Sequence, residues 1–311
     1  MVRANPFAHT FSIIARDPVT GDLGVAVQSH WFSVGSVVTW AEAGVGAIAT
    51  QAMAEVSYGP LGLDLLRGGK SASQALKALL ATDDGSELRQ VAMVDVNGEI
   101  ATHTGNRCIK EAGHITGEGF SVQANMMLKD TVWKAMFDAY KTALKNPAND
   151  LPERLLLALE AAQNSGGDIR GKQSAAIKVV SAEQTGMPWA GVLMELRVED
   201  HPEPLPELRR LVEIRRAYEF MNKGDEFLSK GEKANAMHAY SNAAKLAPQI
   251  VEIPFWNAVT LADNGNMDEA LPIFKDVFTR EPIWKDLLSR LPASGLIKDD
   301  LEMMDKILQV T

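Results

Sequence analysis

The chain holds one cysteine, Cys108, in 311 residues. A single thiol excludes an intrachain disulfide, a paired-cysteine redox centre and a multi-cysteine zinc site, and it leaves the redox compartment open. Cys108 itself reads as a small buried hydrophobe. Long apolar runs are also missing: the most apolar stretch, 43–54, is 12 residues rich in Gly and Ala, short of the ~20 that span a bilayer. No membrane association is expected. Positive charge is scarce, with 31 Lys and Arg against 40 Asp and Glu, a net charge of −9 and no basic run. Such a chain repels phosphate backbones, so no nucleic-acid partner is expected. His30, His103, His114 and His201 lack metal-ligand spacing, and no metal or other cofactor is expected. The opening residues 1–9 carry one arginine and no apolar core of the ~7–15 residues that a signal peptide needs. As written the chain reads as cytoplasmic; if a signal peptide has been trimmed from it, it is periplasmic or secreted.

What is present is an ordinary soluble composition, 46% hydrophobic and 23% charged, in a length of about two domains. Glycine divides it: 20 of 24 glycines precede residue 206, and the rest reads as amphipathic helix. The segment 200–206 has prolines at 202, 204 and 206 and is expected to be a semi-rigid connector. The organisation is therefore a first domain up to 205 and a helical domain, 206–311. Within the latter, Gly231, Ala236, Tyr240 and Pro248 recur 34 residues later as Gly265, Ala270, Phe274 and Pro282, and Gly224 and Phe227 have counterparts in Ala258 and Leu261. This resembles the tetratricopeptide repeat, in units 217–250 and 251–284. Stacking usually takes about three repeats, so helices around 208–221 and 301–309 are expected to cap the pair. Such helical pairs form concave surfaces that take protein or peptide partners.

In the first domain, strands are expected at 10–15 and 23–29 around a Pro/Gly turn, and at 45–51. Helices follow at 61–66 and 73–80, the second capped by Ser71. Strands at 89–95, 99–103 and 120–125 come next, with Asn97-Gly98 as a hairpin turn. Helices at 131–144 and 152–163 precede final strands at 174–180 and 191–198. Two face-to-face sheets, each with a helical layer outside, satisfy this order, an α+β fold.

Most catalytic motifs fail. Gly69-Lys70-Ser71 has Asp64 where a phosphate loop needs its first glycine, and there is no GxSxG, HExxH or GxGxxG pattern. What remains is a set of polar residues at the ends of apolar strands: Thr10 and Ser12; Gln28, Ser29 and His30; Thr50 and Gln51; Thr102, His103 and Thr104; Gln123 and Asn125; Asp168 and Arg170; Gln173 and Ser174.

The strings Thr10-Phe-Ser-Ile-Ile-Ala-Arg-Asp17, Gly44-Val-Gly-Ala-Ile-Ala-Thr-Gln-Ala52, Tyr58-Gly-Pro-Leu-Gly-Leu63, His103-Thr-Gly105, Gly166-Gly-Asp-Ile-Arg-Gly-Lys-Gln-Ser-Ala175 and Leu196-Arg-Val-Glu-Asp-His-Pro202 resemble the domain of unknown function 1028 family of bacteria and archaea. The resemblance covers about 9–205. It implies a four-layer αββα sandwich of the N-terminal nucleophile hydrolase type. In active members of that superfamily the first residue of the first strand is a Thr, Ser or Cys whose freed α-amine, with an ordinary pKa of ~7.7–8, serves as the base. Thr10 matches that position. The resemblance thus implies a leader, 1–9, before a domain at 10–205, and the Thr10 nitrogen is an amide until the His9–Thr10 bond is cut.

By the same resemblance, Gln28, Ser29 and His30 lie on the stretch that orients the nucleophile, and residues 32–40 lack the lysine common there. Backbone amides near Thr50 and Gln51 would form an oxyanion hole. Ser12, His103, Gln123, Asn125, Asp168, Arg170 and Ser174 would line or support the site, Arg170 holding a carboxylate or pairing with Asp168. The first functional reading is a hydrolase of a small amide or related C–N bond, acting through Thr10 after leader removal. The second is a non-catalytic ligand- or partner-binding protein of the same fold with an interaction tail at 206–311. A homodimer is compatible with either.

Overall fold

A computed structural model describes residues 7–187 and 189–310. The first strands are β1 (Phe7–Ala8), β2 (Thr10–Arg16) and β3 (Leu23–Ser29). Between β2 and β3 the Asp17 carboxylate accepts the Val19 and Thr20 amides at 2.8 and 3.1 Å, which closes the turn that the sequence announces. Next come α1 (Gly35–Val38), β4 (Thr39–Glu42), β5 (Gly46–Met53), α2 (Tyr58–Arg67), α3 (Ala72–Leu80), β6 (Arg89–Asp95) and β7 (Ile100–Thr104). Ser71 caps α3 in a capping box with Gln74, a local structural role for the residue that looked like a phosphate-loop tail. The first unit then runs through β8 (Gly113–Gly117), β9 (Phe120–Ala124), α4 (Val132–Ala143), α5 (Leu151–Asn164), β10 (Ser174–Val180) and β11 (Val192–Val198).

Two antiparallel sheets result. In one, β5 pairs with β6 and β6 with β7. The other edge of β5 is shared: β4 covers it from Gly46 to Ala49, and β1 covers it at Ala52 and Met53. The second sheet has the order β11-β10-β3-β2-β9-β8. Residues of both sheets enter one core: Ile14, Val25, Val27 and Ala176 with Ala47, Ala49, Ala92 and Val94. The outer face of the first sheet, through Ile48, Val91 and Met93, packs on Leu63, Leu66, Ala75 and Leu76 of α2 and α3. There α2 lies so close that a Cβ on Gly59 would sit 2.2 Å from the Trp40 ring. Helices α4 and α5 pack on the second sheet. Arg154 of α5 reaches the buried Asp17 carboxylate at 2.6 Å, fastening the β2–β3 turn.

Four elements of this unit lie outside the sequence expectation. β1 falls in the segment read as leader. α1 and β4 are four residues each, too short for a period to register. β8 reads Gly-His-Ile-Thr-Gly with no fully buried position, so it carries no apolar run. The expected connector at 200–206 is also revised: α6 (Pro204–Ser229) begins inside it. Proline is tolerated in a first turn, where amides have no intrahelical acceptor, so Pro204 and Pro206 start this helix and do not block it.

The chain divides into a unit ending at Arg210 and one beginning at Leu211. The second is helical: the rest of α6, then α7 (Lys233–Leu246), α8 (Glu252–Asp263), α9 (Met267–Arg280), α10 (Trp284–Leu288) and α11 (Leu301–Leu308). The turns of the two helical pairs, α6–α7 and α8–α9, fall at Gly231 and Gly265, both with positive φ. Ala236, Tyr240, Ala270 and Phe274 are all buried in one core. A Cβ at Gly224 would strike the Tyr240 ring at 2.4 Å, so that glycine sets how closely α6 and α7 approach. No helix among the described residues is long and apolar enough to cross a membrane.

Candidate active site

Strand alternation builds the site. Thr10 pairs with Ser29, Ser12 with Gln123, and Ser29 with Ser174, so these side chains share the face of Ile14, Val25 and Val27 that looks onto the other sheet. Opposite them, Gln51 pairs with Gln90 in register. The space between the sheets is therefore apolar over most of its length and polar at one end, where Thr10, Ser12, Ser29, Gln51, Gln90, Asn125 and Ser174 are all fully buried.

Buried polar groups are costly unless paired, and here a continuous network pairs them across the sheets. The Ser12 hydroxyl donates to Gln51 Oε1 and accepts from Gln123 Nε2, each at 2.6 Å. Gln51 Nε2 donates to Gln90 Oε1 at 2.7 Å, and Asn125 Nδ2 donates to the same oxygen at 2.9 Å. Gln90 Nε2 in turn donates to Thr104 Oγ1 and the Ala124 carbonyl, each at 2.9 Å. The Thr104 hydroxyl, used as acceptor there, meets His114 Nδ1 at 2.8 Å.

At the centre lies the His9–Thr10 peptide. Thr10 Oγ1 is buried and has no hydrogen-bond partner among the described residues. The carbonyl of His9 accepts two bonds, from Ser29 Oγ at 2.6 Å and from Arg170 Nη2 at 2.7 Å. Arg170 is held by a two-point bond to Asp168, Nε to Oδ1 at 3.0 Å and Nη2 to Oδ2 at 2.7 Å. Asp168 also accepts the backbone amides of His30 and Arg170. Asp168 thus orients the guanidinium, and Arg170 places positive charge on a peptide oxygen. The next carbonyl, of Thr10, accepts the Asn125 amide at 3.1 Å and Gln51 Nε2 at 3.3 Å. The polypeptide is gripped on both sides of the Thr10 nitrogen.

His9 Nδ1 bonds Asn125 Oδ1 at 2.7 Å. Because that oxygen only accepts, Nδ1 carries the proton. Burial is the largest influence on this imidazole and lowers its pKa; Arg170 adds to the lowering, while Asn125 and Asp168 oppose it. The fold thus favours neutral His9. Its stabilising contribution is complete above the free imidazole value of 6.5 and is lost as pH falls toward the lowered pKa, with a slope of at most about 1.4 kcal/mol per pH unit. In the chain that carries residues 1–9, the urea midpoint should fall between pH 7.5 and 5.5 by more than it does when His9→Gln is added. Equal falls would show that His9 does not titrate between the folded and unfolded states.

Other residues singled out in the sequence lie elsewhere. Gln28 points to the opposite face of its sheet, fully buried, with neither amide atom bonded among the described residues. The Thr50 hydroxyl donates to the Glu55 carbonyl at 3.1 Å, away from Gln51 across the strand. The donors that meet the His9 carbonyl are the side chains of Ser29 and Arg170. The His103 ring bonds the Ser86 carbonyl on the face shared with Val91. The His30 ring is exposed, and only its backbone joins the site. Ser174 accepts the Val34 amide and donates to the Trp31 carbonyl, fixing the chain after β3. The Cys108 thiol is buried, donates to the Arg89 carbonyl and is pushed up to about 11 by desolvation, which makes it a poor nucleophile. The sequence gives His9 and Gln90 no role in advance, and His114 only as a histidine without metal-ligand spacing. For Gln90 a signal existed, a lone amide next to the apolar run Val91–Val94.

Residues 10–208 match the Family of unknown function (DUF1028). Among solved structures, the chain is similar to the protein SPO2555 from Silicibacter pomeroyi, whose crystal structure is described under the same family. The two are 32% identical, the match covers 66% of this chain and 85% of that one, and the TM-score is 0.57. No curated protein matches. With the family match spanning well over half its length, and with Thr10, Ser12, Gln51, Thr104, Asp168 and Arg170 all lying in the strings that carry the likeness, this chain belongs to the DUF1028 family.

Proposed function

We propose that the first unit is a hydrolase of the N-terminal nucleophile type, a four-layer αββα sandwich that cleaves an amide or related C–N bond with Thr10 after the His9–Thr10 bond has opened. One observation carries this reading: a buried threonine hydroxyl, without a hydrogen-bond partner among the described residues, follows a carbonyl that is polarised by a serine hydroxyl and an arginine. The layer order is supported by the core shared between the sheets and by the helices on their outer faces.

The chemistry balances without a cofactor. Thr10 Oγ1 adds to the His9 carbonyl carbon while Ser29 and Arg170 hold the developing oxyanion. Its proton passes to the departing nitrogen as the C–N bond breaks, which leaves an ester on Oγ1 and a free amine on Thr10. One water hydrolyses the ester and releases His9 as a carboxylic acid. The amine, with an ordinary pKa of ~7.7–8.0, then takes the hydroxyl proton in each later turnover. Among the described residues no lysine bonds this cluster, so the amine is the base in this scheme. N-terminal sequencing and intact mass of the protein from its native source test the reading: a chain beginning at Thr10 is expected, and a population that keeps His9 throughout would leave no amine base and sink it.

A second reading rests on the helical unit. A cavity of about 390 Å³ lies among α7, α8 and α9, lined by Met237, Tyr240, Ile253 and Ile273, and the buried Asn257 there has an amide oxygen without a partner among the described residues. It supports a tetratricopeptide-like surface for a protein or peptide partner.

A further inference from the structure

The segment before Thr10 is seated as a ligand would be. β1 adds to β5 in antiparallel register, Phe7 opposite Met53 and Ala8 opposite Ala52, on the stretch of edge that β4 leaves open. The next residue turns its side chain to Asn125 and its carbonyl to Ser29 and Arg170. Thus three consecutive residues make three different kinds of contact: strand pairing, a side-chain pocket whose polar wall is Asn125, and a charged cradle for a carbonyl oxygen. Thr10 Oγ1 is four bonds from that carbonyl carbon, so its attack closes a five-membered ring and needs no second molecule.

We infer that residues 7–9 occupy the acyl side of the substrate site, and that the substrate is an extended peptide. It is taken up by strand addition at Ala52–Met53, with its reacting carbonyl under Ser29 and Arg170. Strand addition supplies affinity through main-chain bonds, and the neutral, buried Asn125 amide selects a hydrogen-bonding side chain at the position of His9. Before the cut, the leader fills this site and excludes peptides supplied in trans. After hydrolysis the same guanidinium faces a carboxylate, which it binds at two points, so a peptide acid is a product inhibitor. The inference rests on the hydrolase reading for the word substrate, while the binding itself does not need turnover.

The probe is fluorescein-labelled Phe-Ala-His with a free C-terminal carboxylate, followed by polarisation. The chain beginning at Thr10, released from a ubiquitin fusion and checked for a cooperative thermal transition, is expected to bind it. Binding should weaken at least tenfold for the C-terminal amide and for Arg170→Gln. The uncut chain, held by Thr10→Ala, should not bind. Ala8→Pro in that uncut chain removes an amide donor of β1 and should restore binding, which keeps the test decisive if the shortened chain fails to fold. Equal affinity for acid and amide, or binding by none of these chains, overturns the inference. Binding without hydrolysis of any peptide keeps the site and sinks the hydrolase reading, whereas hydrolysis of other amides without peptide binding does the reverse.

Discussion

With alanine at position 10, the chain is expected to fold as before, to keep residues 1–9, and to lose turnover by roughly 10⁴-fold or more, as the loss of a covalent nucleophile does elsewhere. The expectation of intact folding has its own argument. Thr10 Oγ1 has no hydrogen-bond partner among the described residues, so deleting it strands no donor or acceptor. Removing the γ-methyl costs about 1 kcal/mol at a buried site, and release of an unpaired hydroxyl offsets part of that. Thr10→Ser should retain processing, since the hydroxyl survives. Intact mass against time, together with the thermal midpoint of each variant, reads both effects. Leader loss at the wild-type rate in Thr10→Ala would mean that another agent cuts the bond.

The second large effect is on stability and contrasts two glutamines of equal burial. Gln90 and Gln28 are both 0% exposed. Gln90 accepts two side-chain amides and donates to Thr104 and to the Ala124 carbonyl, bridging the sheets. Truncating it to alanine strips those groups of their partner and leaves a cavity, at a cost of about 3 kcal/mol or more. Gln28 bonds nothing with its amide among the described residues, so Gln28→Leu exchanges an unpaired polar group for an apolar one of similar size and should be neutral or stabilising. A thermal shift of roughly 2–4 °C per kcal/mol makes the difference easy to measure. A stability loss in Gln28→Leu as large as in Gln90→Ala would mean that Gln28 is satisfied by a buried water.

Much of this site is legible from strand alternation alone. Residues 10 and 12, then 121, 123 and 125, are polar at every second position within otherwise apolar strands, which is the mark of a polar layer on one face. The same rule separates Gln28 from Ser29, and Thr50 from Gln51, since neighbours in a strand face opposite ways. What the sequence conceals is the partnership between distant strands. Nothing local says that Gln51 meets Ser12 or that Gln90 meets Asn125, because those contacts depend on how the two sheets are laid together. The roles of Ser29 and Arg170 are hidden for a similar reason, since both act on a backbone oxygen of His9, and a backbone atom has no letter in the sequence. Glycines veil β8, and brevity veils β4.

The interior between the sheets is narrow for a reason that reaches the chemistry. Of the sixteen buried residues in that shared core, eight are alanines and none is aromatic. Methyl groups thus act as spacers that set the sheet separation, and only at that separation can side chains as short as serine and glutamine touch across it. Enlarging one spacer four residues along β5 from Gln51, as in Ala47→Leu, would part the sheets like a wedge in a hinge and lengthen the Ser12–Gln51 and Gln51–Gln90 bonds. What the polar side chains at one end of that core can reach is in this sense a measure of side-chain volume at the other.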